Sequence, residues 1–504
     1  MVRAMVSDWL ERRAALSPER VALVDTTRGG ARITYRAWNG ATNRTARLLR
    51  ELGVGRGDRV AVLAMNAVEV LEVWFACAKL GAIFQPLNWR LTATELVALV
   101  ADGTPRVLVF GPDFAAQVET LRGAASSVRR FVALEELAER RASHDDGPFP
   151  SEAMTASDPW ALCYTGGTTG VPKAAILTYG AIHANATNTI TSWGLDQDDV
   201  ALLNAPLFHT GGMNVFTAPL VMAGGASVVC RAFDVDQVFD LVEARAITVL
   251  FGVPTMFVAM QAHARWESVD FSGLKLVISG GAPCPLPVFE KFWARGVDFK
   301  TGYGLTEAGP NTFWLPPEEV RKRPGAVGVP LFDVEVKLVD AAGHTLEGAA
   351  EGELWVRGPH VCGGYWNKPE ETKKVLVDGW LHTGDLARRD ADGYYTIVGR
   401  SKDLIISGGE NIYPAEVETV IAAHPAVAEV ALIPVPDAKW GEVPRAIVVT
   451  KPGASVESAE VIAFAKERLA SYKAPKSVVF VSTLPKTGVG KIDKRALVAA
   501  HGKA

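Results

Sequence analysis

Short apolar runs alternate with helix-period segments through most of the first four hundred residues, and that alternation leaves few architectures open. Residues 59–64 (RVAVLA) form a strand-length apolar run. The segment after it places Val68, Leu71, Trp74, Phe75 and Ala78 three and four residues apart, the period of one helix face. The pairing recurs at 226–230 before a helix near 235–245, at 247–251 before a helix from Pro254, and at 274–278 before a helix from Pro285; residues 106–110 read as a further strand. Strands that alternate with helices belong in parallel sheets covered on both faces, so the fold class is α/β. From about Asp333 the texture turns to short alternating strands (334–339, 352–356) between Gly-rich turns, a small β subdomain. Residues 399–403 (GRSKD) are a polar joint. Beyond it, a helix (415–423), strands (428–433, 445–450), a helix (458–470) and a strand (477–481) predict a compact α+β unit. The expected division is a large N-terminal domain, 1–400, and a small C-terminal domain, 401–504.

A chain of 504 residues exceeds one ordinary core, in keeping with that division. A net charge of −4 at pH 7 gives no electrostatic case for nucleic acid. The five cysteines (Cys77, Cys163, Cys230, Cys284, Cys362) show no C-x-x-C pair and no metal-ligand spacing, which predicts reduced, mostly buried thiols. The first sixteen residues are charged and amphipathic, unlike a signal peptide. The most apolar long region, 200–229, is interrupted by Asn204, Pro206, His209, Gly211, Gly212, Asn214 and Pro219 and cannot be a transmembrane helix. A cytoplasmic location without an integral membrane segment is expected.

Residues 164–173 (YTGGTTGVPK) follow the apolar run from Trp160 and form a loop with few atoms beyond Cβ. Such a loop lets backbone N–H groups and the hydroxyls of Thr165, Thr168 and Thr169 approach phosphate oxygens, with Lys173 as a point charge. It is not a Walker A loop, because Ala174 stands where the magnesium-ligating hydroxyl would be.

Six further motifs follow in order: PLFHTGG (206–212), SGGAP (279–283), TGYGLTEAG (301–309), HTGDL (382–386), GRSKDLIISGGENIYPAEVE (399–418) and LPKTGVGKIDK (484–494). With the Gly/Thr loop they resemble the adenylate-forming superfamily of acyl-CoA synthetases, peptide-synthetase adenylation domains and firefly-type luciferases, over nearly the whole chain. One departure is Gly166, where the family usually has Ser or Thr.

The resemblance implies ATP, Mg²⁺ and CoA, and a carboxylate activated as its adenylate. Thr165, Gly166, Gly167, Thr168, Thr169, Gly170 and Lys173 are then the phosphate loop. Glu307 is the magnesium ligand, a lone carboxylate that suits that ion's preference for few protein ligands. Thr306 stands beside it. Gly281, Ala282 and Pro283 approach the adenine, and Tyr303, between Gly302 and Gly304, stacks on it. Asp385 accepts the ribose hydroxyls, assisted by Arg400. Lys491 reaches carboxylate and α-phosphate together, as a flexible point charge can. His209, after Phe208, gates the acyl pocket, which Asn188, Met213, Met256, Phe257, Gly302 and Gly309 line. Lys402 is the hinge on which the C-terminal domain turns for thioester formation. Gly408 and Gly409 line the pantetheine tunnel, and Trp440, Tyr472 and Lys476 contact the CoA nucleotide.

The absence of an acid in 206–212 argues against amino-acid activation. Small Gly302 and Gly309 beside adaptable methionines favour a medium or long fatty acid, or a bulky aryl acid, over acetate, and the fatty acid is the first expectation. The alternatives are an aryl-acid CoA ligase, or a stand-alone adenylating enzyme that loads a carrier protein. A homodimer is a family expectation only.

Overall fold

The computed structural model describes residues 8–165, 172–407, 410–487 and 491–503. Two helix-covered sheets carry most of the chain. The first runs Arg130–Ala133, Val107–Phe110, Arg59–Leu63, Ile83–Pro86, Pro159–Thr165, Lys173–Thr178 in spatial order. Its strands are parallel until the last pair, which is an antiparallel hairpin. The second runs Lys300–Thr301, Leu276–Ser279, Val249–Gly252, Val200–Leu203, Ala226–Val229, Val21–Asp25, Ala31–Thr34, again parallel with one antiparallel edge.

The helix Val68–Leu80 is buried along its whole length, which explains why its apolar residues crowd more than one face. It ends where Gly81 turns left-handed at φ 63°. Around it an aromatic core forms, with Trp160 stacked on Tyr179 at 5.0 Å and 5.4 Å from Trp74.

The alternating stretch expected after Asp333 is an antiparallel sheet built on Glu335–Val339, Ala350–Arg357, Trp380–Arg389 and Tyr395–Arg400. A 3-10 turn, Ser401–Asp403, leads from it to Ile405–Ser407, the first strand of a fourth sheet with Glu410–Ile412, Val427–Asp437, Gly441–Thr450 and Ser477–Phe480. This last unit has its own core of Ile405, Val417, Ile421, Leu432, Ala446 and Val461. The helices Pro414–Ala422, Ser458–Lys466 and Lys494–His501 accompany the sheet. The second ends earlier than the sequence suggested, and the third starts at Lys494, the last residue of the LPKTGVGKIDK motif, and runs beyond it.

The cysteines are free, and all but half-buried Cys284 are buried. No helix among the described residues is long and apolar enough to cross a membrane.

Candidate active site

The Gly/Thr loop connects the two strands of the hairpin, so Thr165 pairs with Lys173 across the antiparallel register. A P-loop instead feeds a helix; here both residues stand at one end of the hairpin, with Thr165 against Glu307 of the 301–309 segment. Thr165 Oγ1 lies 3.5 Å from Glu307 Oε1, and the Tyr365 hydroxyl donates to the same oxygen at 2.8 Å. Glu307 is buried in the 3-10 turn Thr306–Ala308, whose first residue, Thr306, is half-buried.

Sequence reading missed Tyr365. Its segment extends the sheet: Ile176 N–H donates to Gly364 O, Gly363 N–H to Ile176 O, and Trp366 N–H to Ala174 O. The Gly-Gly-Tyr-Trp run after Cys362 was the available signal, and Cys362 N–H itself donates to Glu307 O at 2.8 Å. Burial, then the Glu307 charge, pushes the Tyr365 hydroxyl well above its ordinary range, so it remains a donor.

Lys173 has a partner of its own. Its ammonium pairs with Glu371 and lies 5.3 Å from the centre of the Tyr365 ring. Hydrogen bonds from Lys173 and Lys374 hold the Glu371 carboxyl down to about 2.

A second polar centre lies where Trp380–Arg389 pairs with Tyr395–Arg400. The register sets Asp385 opposite Arg400, whose Nε is 2.7 Å from Asp385 Oδ1. The Tyr303 hydroxyl donates to Asp385 Oδ2 at 2.6 Å, and Asp385 is only 4% exposed. A carboxylate offers about four lone-pair sites, so two such contacts leave capacity for further donors.

The segment between these centres is tightly folded. Gly302 N–H donates to Ser279 O at 2.7 Å, and a Cβ on Gly304 would meet Pro310 O at 2.2 Å. Gly281 has φ 79°, and Gly281, Ala282 and Pro283 remain open or half-buried beyond the strand Leu276–Ser279. Gly309 has φ 59° and ψ 153°, a conformation nearly confined to glycine.

Lys491 approaches from the C-terminal unit. Its carbonyl accepts from Thr487 N–H at 2.7 Å, and the residue keeps exposed surface although protein encloses most of the volume around its ammonium. That enclosure, then Arg400, lowers its pKa; Asp385 and Glu307 oppose the shift. The lysine therefore sits within the electrostatic field of both carboxylates. Its charge also acts on His209, whose pKa is pushed down to about 4 by burial first, then by Arg90 and Lys491. The His209 ring packs 4.4 Å from Phe208.

The residues expected to line the acyl pocket separate. Met213 is fully buried in the core shared by the two large sheets. Phe257 packs edge-on against Phe299 at 4.7 Å and Phe292 at 5.5 Å, so its ring belongs to a hydrophobic cluster. Asn188 accepts from Asp333 N–H at 3.2 Å, on the side of the antiparallel sheet. Met256 is half-buried, Gly302 and Gly309 lie in the Glu307 segment, and the side chain nearest Gly309 is Asn185.

Lys402 lies in the turn between the third and fourth sheets, and burial lowers its pKa. Trp440 (44%) and Tyr472 (39%) are exposed, as is Lys476, so neither aromatic serves a core. Gly166, Gly167, Thr168, Thr169, Gly170, Gly408 and Gly409 lie outside the described residues.

The comparisons agree along the chain. Residues 10–366 match the model of the AMP-binding enzyme family, and residues 416–491 match that of the AMP-binding enzyme C-terminal domain. The chain is 43% identical over 489 residues to a feruloyl-CoA synthase of Amycolatopsis sp, covering 97% of each. It is 39% identical over 506 residues to an indoleacetate–CoA ligase of Aromatoleum aromaticum, covering 98% of each. The crystal structure of ATP-bound MatB from Rhodopseudomonas palustris superposes with a TM-score of 0.91 at 32% identity, covering 99% of each chain. Motif order, two helix-covered sheets and full-length relatives converge: the chain belongs to the AMP-binding enzyme family, the adenylate-forming acid–thiol ligases.

Proposed function

We propose that the protein joins an aromatic carboxylic acid to CoA in two steps, at the expense of ATP. The observation that carries this reading is the pair of fixed carboxylates, Asp385 held by Tyr303 and Arg400 and Glu307 by Thr165 and Tyr365, with Lys491 of the C-terminal unit near enough to feel both charges. In the first step a carboxylate oxygen attacks the α-phosphorus of ATP, and the bond to pyrophosphate breaks. The ammonium of Lys491 offsets the repulsion between carboxylate and phosphate. Asp385 receives the ribose hydroxyls on its remaining lone pairs, and the Tyr303 ring covers the adenine opposite Gly281, Ala282 and Pro283. The loop from Thr165 to Lys173 takes the terminal phosphates.

Glu307 suits Mg²⁺: it is one buried carboxylate with an oxygen fixed by Thr165 and Tyr365, as an ion with few protein ligands requires. The ion would supply charge neutralisation on the phosphates; Thr165 and Tyr365 keep the carboxylate oriented for it.

In the second step the CoA thiolate attacks the acyl carbon and AMP leaves. The domain boundary is proposed at 400/401, with Lys402 as hinge. Gly408 and Gly409 would line the thiol's path, and exposed Trp440, Tyr472 and Lys476 would meet the CoA nucleotide.

An aromatic acid is preferred here to the fatty acid that the sequence favoured. The most similar relatives described above are named for feruloyl-CoA and indoleacetate. Phe257 and Met213, expected as an apolar channel wall, are engaged in cores. The test is CoA-dependent AMP release across hydroxycinnamic, arylacetic, benzoic and C4–C16 fatty acids. The highest kcat/KM for a fatty acid would overturn the substrate assignment, and release that requires an acyl carrier protein would overturn the CoA assignment.

A further inference from the structure

The Lys173 ammonium is held before any ligand arrives. The residue is only 9% exposed, its Nζ donates to Glu371 Oε2, and the centre of the Tyr365 ring lies 5.3 Å from the same nitrogen. Glu371 Oε1 accepts in turn from Lys374 Nζ at 2.5 Å. Lys374, Glu371 and Lys173 thus form a row of alternating charge with one cation in excess. Tyr365 and Thr165 join Lys173 to the Glu307 carboxylate. The Tyr365 hydroxyl donates to Glu307 Oε1 at 2.8 Å, and Thr165 Oγ1, 3.5 Å from that oxygen, lies 3.3 Å from Lys173 O.

Backbone packing fixes the place of Glu371. Ile176 N–H donates to Gly364 O and Trp366 N–H to Ala174 O, each at 2.9 Å, so the segment before Glu371 runs beside the strand that Lys173 begins. Tyr365 N–H donates to Thr372 Oγ1 at 2.8 Å, and Thr372 Oγ1 donates to Lys368 O at 3.0 Å, which ties the helix Pro369–Val375 to that segment. A Cβ on Gly364 would meet Thr372 Cγ2 at 2.5 Å, so the approach of helix to segment is as close as glycine permits. An ammonium has three N–H donors; Glu371 takes one and leaves two for phosphate oxygens. A lysine stem is flexible, and restraining it in advance removes an ordering cost from binding. A lone carboxylate at this position would repel a polyphosphate, and Lys374 offsets that charge.

We propose that Glu371 is a positioning residue for ATP: it holds Lys173 against Tyr365 with two donors free for the terminal phosphates, while Lys374 balances its charge. This rests on the phosphate role given to Lys173 above and deepens it. Glu371 touches no substrate and acts only through the lysine.

The test is a double-mutant cycle in ATP–pyrophosphate exchange, with Glu371→Ala, Lys173→Ala and the two combined, and with thermal unfolding as a check of the fold. Glu371→Ala should lower kcat/KM for ATP by about tenfold through KM for ATP, and leave KM for the acid within about twofold of wild type. The combined variant should match Lys173→Ala within about twofold, because without the lysine Glu371 has nothing to position. Where Glu371→Ala fails to accumulate folded, Glu371→Gln, which keeps the shape and removes the charge, takes its place. A further, additive loss in the combined variant would mean that Glu371 serves the fold rather than the lysine. A lower KM for ATP in Glu371→Ala would mean that the carboxylate competes with the phosphates, and an unchanged one that the lysine needs no holding. Each of these overturns the inference and leaves the phosphate role of Lys173 standing. A wild-type kcat/KM for ATP in Lys173→Ala would instead refute that role itself.

Discussion

Replacing Asp385 with Asn tests the ribose centre with a change of one atom. The Tyr303 hydroxyl would still find an amide oxygen, but a charge-assisted hydrogen bond at 2.6 Å becomes a neutral one, a loss of about 1–1.5 kcal/mol. On the other side the new NH₂ faces the Arg400 Nε–H, donor against donor, where a 2.7 Å ion pair stood. The Arg400 side chain is 43% exposed, so solvent screens that pair and its loss is held to about 1 kcal/mol. The sum is about 2–2.5 kcal/mol. An unfolding entropy of about 2 cal/mol/K per residue, over about 400 cooperative residues, converts this to a fall of about 3 °C in Tm. The ribose loses an acceptor at the same time, so KM for ATP should rise by about 10- to 100-fold, while KM for the acid changes little. Differential scanning calorimetry and ATP–pyrophosphate exchange read the two effects separately. A lowered Tm with an unchanged KM for ATP would show that Asp385 serves only the fold, and an unchanged Tm would refute the energetic argument.

Lys491→Ala should lower acyl-AMP formation by about 100- to 1000-fold and leave thioester formation from supplied acyl-AMP intact; equal losses in both half-reactions would contradict its role in the first step alone. Tyr365→Phe removes the donor at 2.8 Å from Glu307 and should cut kcat for pyrophosphate release about tenfold or more, so a wild-type kcat would dismiss Tyr365 as a positioning residue. With its pKa pushed down to about 4, His209 is neutral above about pH 5, and His209→Gln should preserve the shape of the pH–rate profile from pH 5 to 9. Disappearance of an acid limb in that variant would mean that the imidazole titrates in the working range.

The alternation of strand-length and helix-length periods determined the α/β class, because periodicity is written in residues two to four apart. The helices Val68–Leu80 and Pro254–Ala262 and the strand Val249–Gly252 fall close to where that local pattern set them. Ordered motifs likewise identified the family and nominated Glu307, Asp385 and Lys491 as its candidate site residues, since short signatures survive without knowledge of the fold. What the sequence could not supply were partners across long separations. Tyr365 meets Glu307 across 58 residues, and Lys173 meets Glu371 across 198. Neither pairing leaves a periodic trace, because each follows from the Cys362–Trp366 segment and its neighbouring helix packing beside the hairpin. Phe257 shows the same limit in reverse: the family resemblance put it in a pocket wall, but packing against Phe292 and Phe299 assigned the ring to a core.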